Sequence, residues 1–189
     1  MNIFVLDKDP KKAAEFHCDK HVVKMILEAG QMMCSSHWLW NLKSLNKSLK
    51  DFKRVRDAKA FIVENTDERY LPPWTMTHIR HPCTLWTAEN TGNYAWHAEL
   101  MRGLLDEYTR RYQKNHKSES VYEWLVKNKP RNMVEGMKTD HPQCMPDDCK
   151  VDGNTVQAYR NYYNKHKAYM AKWNKLGNVP SWYTGELSV

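Results

Sequence analysis

The sequence predicts an all-α fold: a compact single domain of about three long helices plus short helices and long loops, with a short extended N-terminal segment. Three stretches of helical spacing, opening at Asp9, Thr84 and Thr155, predict the helices. A length of 189 residues predicts one domain with a proper core rather than two. Eight tryptophans and ten tyrosines give this otherwise polar chain the amphipathic surface that such a core needs.

Met1 is followed by NIFVLD, an apolar run too short for a helix and suited to an extended segment lying along the first helix. That segment brings the α-amino group beside the helix. An α-amine ordinarily titrates at about 7.7–8, so roughly a tenth to a sixth of it is neutral at pH 7, far more than of a lysine ammonium.

Asp9 to Trp40 reads as one continuous helix. Asp9 is its cap, Pro10 suits the first helical position, and the next glycine or proline is Gly30. At about 100° per residue, His17, His21, Lys24, Glu28, Gln31 and Ser35 fall on one line, with Phe16, Val22, Val23, Ile26, Leu27, Ala29, Met33 and Cys34 opposite. A mixed-charge stripe of this kind is either a solvated face or a chemical site. Asp19 breaks the pattern by projecting into the apolar face, where a carboxylate needs a cation, dense hydrogen bonding or a proton. His17 and His21, four residues apart, also have the spacing of a metal pair, although Lys24 stands against a cation there.

After Trp40 comes the densest basic stretch, with Lys43, Lys47, Lys50, Lys53, Arg54, Arg56 and Lys59 against Asp51 and Asp57. It is either a phosphate-contacting segment or a solvated helix or loop. Phe61 to Pro82 reads as irregular chain that presents His78, Arg80 and His81. A second long helix is expected from Thr84 to Gln113, interrupted or kinked near Gly92, with Asn90, Asn93 and His97 among its polar groups. Glu119 to Lys127 is a short helix capped by Ser118, and KPRNMVEGMKTDHPQCMPDD a long loop. A last helix runs from Thr155, capped by Asn154, to Trp173, with Gly177 ending it before the tail NVPSWYTGELSV. There is no internal repeat, glycine-rich phosphate loop or nucleophile elbow.

The formal charge of +7, with rings interleaved among Lys and Arg, points to an anionic partner such as nucleic acid rather than a bare membrane surface. Five cysteines, no leader pattern and no apolar run of membrane length predict a reducing, cytoplasmic location. Cys144 and Cys149 near His141 lack the spacing of a zinc knuckle, so two ordinary thiols in a proline-rich loop are the first reading and a structural metal the second.

The order of these parts resembles the phage pyrimidine-dimer DNA glycosylases with AP-lyase activity. The pieces that carry the resemblance are His17 on the first helix, KRVRD at Lys53 to Asp57, HPCTLW at His81 to Trp86 and PSWY at Pro180 to Tyr183. It is a resemblance of layout across most of the chain. It implies a helical domain that grips kinked double-stranded DNA, flips a base and attacks the sugar C1′ with the N-terminal amine, helped by a helix-1 glutamate, with no metal or other cofactor. No membrane and no obligate protein partner are implied.

The family's glutamate position, counted from His17, holds Lys24 here, with Asp19 and Glu28 the nearest acids. The expected catalytic set is therefore Met1, His17, Asp19, His21, Lys24 and Glu28, with Lys24 an alternative imine-forming nucleophile. The expected DNA contacts are Lys50, Lys53, Arg54, Arg56, His78, Arg80, Trp182 and Tyr183. Two other classes fit the same residues. One is a metal-dependent hydrolase or base-modification enzyme built on His17 and His21, and the other a DNA-binding protein without catalysis.

Overall fold

The helix expected from Asp9 to Trp40 is two helices. In the computed structural model, which describes residues 1–185, α1 (Pro10–Phe16) ends at His17, and α2 (Asp19–Ser44) begins two residues later. His17 and Cys18 are both extended, with ψ of 136° and 162°. Neither glycine nor proline causes this break; distant partners hold it. The buried Arg111 guanidinium donates to the carbonyls of Glu15 (3.0 Å) and His17 (2.8 Å), groups left free where α1 stops. Trp173 Nε1 takes the Phe16 carbonyl at 3.2 Å.

The remaining helices are α3 (Val55–Asn65), α4 (Pro82–Thr87), α5 (Thr91–Tyr112), α6 (Glu119–Lys127) and α7 (Thr155–Tyr162). No strand occurs among the described residues, and none of their helices is long and apolar enough to cross a membrane. The helix expected from Thr84 to Gln113 is likewise divided, though not by a bend at Gly92. α4 closes at Thr87, and Asn90 caps α5 by accepting from the Asn93 N–H at 2.9 Å. Gly92 serves a different need. A Cβ there would lie 2.5 Å from the Lys138 nitrogen, because the 129–148 loop runs against this turn and takes the Thr91 and Gly92 N–H groups on the carbonyls of Val134 and Gly136.

The last helix is shorter than expected. α7 passes into one π turn, Tyr163–Lys167, and the chain then leaves through turns before Trp173. The short helix at Glu119–Lys127 has its expected bounds, with Leu125 buried and Tyr122 and Trp124 packed against the core. Of the tail, Glu186 to Val189 lie outside the described residues.

α2 is the axis of the molecule, and α5 runs along both it and α1. The main core gathers residues 3–6, the inner faces of α1, α2 and α5, and Tyr159, Tyr163 and Trp173 from the C-terminal part. α1 approaches α5 most closely at Gly103, where a Cβ would stand 2.8 Å from that of Ala14. A second cluster, Trp38, Leu42, Ile62 and Ile79, joins α3 to the far half of α2.

Candidate functional site

The N-terminal segment lies on α2 as expected, and it reverses the sense of the polar stripe. His21, Glu28 and Ser35 are all buried, whereas Val23 and Leu27, placed on the apolar side by spacing, are 38% and 44% exposed. Residues 2–6 cover the stripe and supply its partners. Phe4 lies against the His21 ring with centroids 4.4 Å apart. The Asn2 N–H donates to Glu28 Oε2 at 3.0 Å, and the Met1 α-amino nitrogen stands 3.9 Å from the same oxygen. Lys24, exposed and one turn earlier on α2, reaches Glu28 Oε1 at 3.2 Å. One buried carboxylate thus holds a backbone N–H and two amines.

Asn2 anchors this end of the chain. Its Nδ2 donates to the Cys144 carbonyl at 2.8 Å, and its Oδ1 accepts from the Tyr159 hydroxyl at 2.8 Å. The loop before α4 closes the next turn of the stripe. Gly30 leaves room for Trp74, since a Cβ there would be 2.6 Å from the indole, and Ser35 Oγ donates to the Thr77 carbonyl at 2.7 Å. His81, at the end of this loop, is half-buried. Burial lowers its pKa, with further lowering from the Met1 ammonium and His78 and an opposing pull from Glu28. His78, Arg80 and His81 line a cleft of about 420 Å³ with Val55, the first residue of α3. Arg54 and Arg56 flank that residue on the surface, and both contact Asp57, at 3.1 and 3.6 Å. Lys50 and Lys53 are exposed along the same segment.

No family model, curated protein or solved structure matches the chain.

Several expected site residues lie elsewhere. His17 sits at the break, not on the helix of Lys24 and Glu28, and is fully buried. Its Nδ1–H donates to the Ala13 carbonyl at 2.6 Å, and burial, followed by the charge of Arg111, lowers its pKa to about 4. His21 shares a hydrogen bond with the Tyr163 hydroxyl, and burial keeps it neutral as well. Their ring centroids are 6.3 Å apart, and they do not belong to any possible metal-holding group among the described residues. The metal pair read from their spacing is thus replaced by two neutral core imidazoles.

Asp19 has the cation that its position demanded. Arg111 Nη1 lies 3.1 Å from Oδ1, and the Lys175 N–H donates to Oδ2 at 3.2 Å. Nine positions before Glu28 on α2, at about 1.5 Å per residue, it stands roughly 13 Å away along the axis. It is a structural acid, not a neighbour of the amine. Trp182 and Tyr183 also turn inward. Trp182 packs edge-on to Phe16 and Tyr163, Tyr183 packs on Trp173, and Arg160 lies over Trp182. Asn90, Asn93 and His97 are engaged locally, the last two with Trp86, Thr139 and Thr87.

Of the expected catalytic set the structure brings together Met1, Lys24 and Glu28. It also groups His81 with Cys83 and Cys144, a set that the sequence reading did not assemble, having placed His81 on a loop and read Cys144 as an ordinary thiol near Cys149 and His141. The adjacency of His81 and Cys83 in HPC was the available signal, but Cys144 joins them only through folding.

Proposed function

We propose that this chain is a DNA glycosylase with AP-lyase activity on damaged or modified pyrimidines, including dimers, in duplex DNA. The observation that carries the reading is the α-amino nitrogen 3.9 Å from a buried glutamate. An amine and an adjacent acid are the two groups that imine chemistry at a deoxyribose requires.

In this scheme the neutral amine of Met1 donates its lone pair to C1′ as the C1′–N bond to the base breaks, the base leaving with its electron pair and with the proton that the attacking nitrogen gives up. Glu28 stabilises the positive charge that develops on the sugar. The C1′–O4′ bond then breaks, O4′ taking a proton from solvent, and the ring opens to an iminium. Glu28 then takes a C2′ proton, and the C3′–O bond breaks with loss of the 3′ phosphate. Water hydrolyses the imine and restores the amine. Lys24 holds Oε1 of Glu28 from the solvent side, leaving Oε2 for the amine. Lys50, Lys53, Arg54, Arg56, His78 and Arg80 supply phosphate contacts, which help to offset the few kcal/mol that flipping a base costs.

The test is borohydride trapping on a labelled duplex with one abasic site. A covalent band and strand scission are expected. An N-terminal extension removes both, Lys24→Ala keeps the band, and Glu28→Gln lowers scission by roughly 100-fold or more. Wild-type protein that forms no adduct disproves the reading, and a band lost with Lys24→Ala but kept on extension reassigns the nucleophile to Lys24.

A further inference from the structure

Two cysteines far apart in the chain meet beside the N-terminal segment. Cys83, in the first turn of α4, and Cys144, in the 129–148 loop, hold their sulfurs 3.7 Å apart. One imidazole nitrogen of His81 lies within 4.8 Å of both. A tetrahedral zinc ion with bonds of about 2.3 Å to sulfur and 2.0–2.1 Å to nitrogen sets its sulfurs about 3.8 Å apart, and each sulfur about 3.6 Å from the nitrogen. The sulfur pair already has that edge length; the half-buried imidazole, whose Nδ1 accepts the Cys83 N–H at 3.1 Å, has to move toward the sulfurs to complete the site. A disulfide would need the sulfurs at about 2.05 Å.

The hydrogen bonding leaves the sulfurs weakly satisfied. The Cys83 thiol has two acceptors within reach, Cys144 Sγ and Asn2 Oδ1 at 3.5 Å. That oxygen already accepts from the Tyr159 hydroxyl and the Ile3 N–H, and a thiol is a weak donor in any case. Two soft sulfurs and an imidazole suit a thiophilic ion over magnesium or calcium.

We propose that His81, Cys83 and Cys144 form a site for a thiophilic divalent metal ion of the zinc class, with water as the fourth ligand. Binding converts both thiols to thiolates and releases their two protons to solvent, so uptake strengthens as pH rises. The ion ties the start of α4 to the 129–148 loop. Because Asn2 Nδ2 donates to the Cys144 carbonyl, it also tightens the anchorage of the N-terminal segment. The proposal is independent of the imine chemistry, and its readout is the metal.

Reduced full-length protein is stripped with a chelator, dialysed and titrated with Co²⁺. One equivalent per chain is expected, with thiolate-to-cobalt charge-transfer absorption that Zn²⁺ displaces. Cys144→Ser, at a half-buried position, abolishes the absorption while circular dichroism stays helical, and His81→Ala weakens uptake by roughly tenfold or more. Cys149→Ser, in the separate group of Asp148, Cys149 and His166, leaves uptake unchanged. The proposal is overturned if no thiolate absorption appears at stoichiometric Co²⁺, if the absorption survives Cys144→Ser, or if Cys149→Ser removes it.

Discussion

Arg111 shows how much one residue holds in place. Its fully buried guanidinium faces Glu107 at 2.7 Å and Asp19 at 3.1 Å, and it also donates to two α1 carbonyls. Without it, among the described residues, Glu107 keeps only the half-exposed Arg110 and Asp19 only the Lys175 N–H, and breaking a buried ion pair costs about 3–5 kcal/mol. Arg111→Met is expected to lose that much in urea denaturation, and a loss under 1 kcal/mol would show that the network is not integral to the fold. The sequence made half of this visible. Asp19 on an apolar face demanded a cation, but nothing local identified Arg111, 92 positions away. Glu28 was legible as a candidate because it lies on the stripe of Lys24. Its burial was not, because residues 2–6 create it.

At the scale of elements, helical periodicity located the long helices and missed the break after Phe16, while the interruption expected near Gly92 falls a few residues earlier, between Thr87 and Thr91. The break at His17 and Cys18 depends on Arg111 and Trp173, and the one at Ala88 to Asn90 on a cap and a loop that return from beyond α6. The contact of α1 with α5 is set by Gly103. Alanine there gains about 1 kcal/mol of helix propensity. Its methyl group meets the rigid Ala14 Cβ and must spread the two helices, for which overpacking costs about 1–3 kcal/mol. Gly103→Ala is therefore expected to lower the melting temperature, and an increase would show that the two helices part cheaply. The glycine was visible in the sequence, but the neighbour that requires it was not.

For the whole molecule, buried histidines set the response to acid. Burial lowers His17 to about 4 and His37, His97 and His141 each to about 3, from an ordinary 6.5. The unfolded chain binds these protons at higher pH than the folded one. The stability that the neutral rings contribute is thus complete above pH 6.5 and is lost as pH falls toward 4 and then 3. Each histidine contributes a slope of up to about 1.4 kcal/mol per pH unit, and four together consume an ordinary stability of about 5–15 kcal/mol within a few units. Cooperative loss of helix is expected between about pH 6 and 4. Circular dichroism that stays constant to pH 4 would show that the neutral rings contribute less than the stability the fold holds in reserve.

The break between α1 and α2 also orders events in time. Within residues 10–40 nothing stops a helix from running straight through Cys18; the groups that hold His17 and Cys18 extended arrive with α5 and with the segment after α7. A newly made N-terminal third therefore has a single rod as its natural early form. The corner enters only when the second half of the chain docks, so the N-terminal amine reaches its final bearing on Glu28 as a late event of folding.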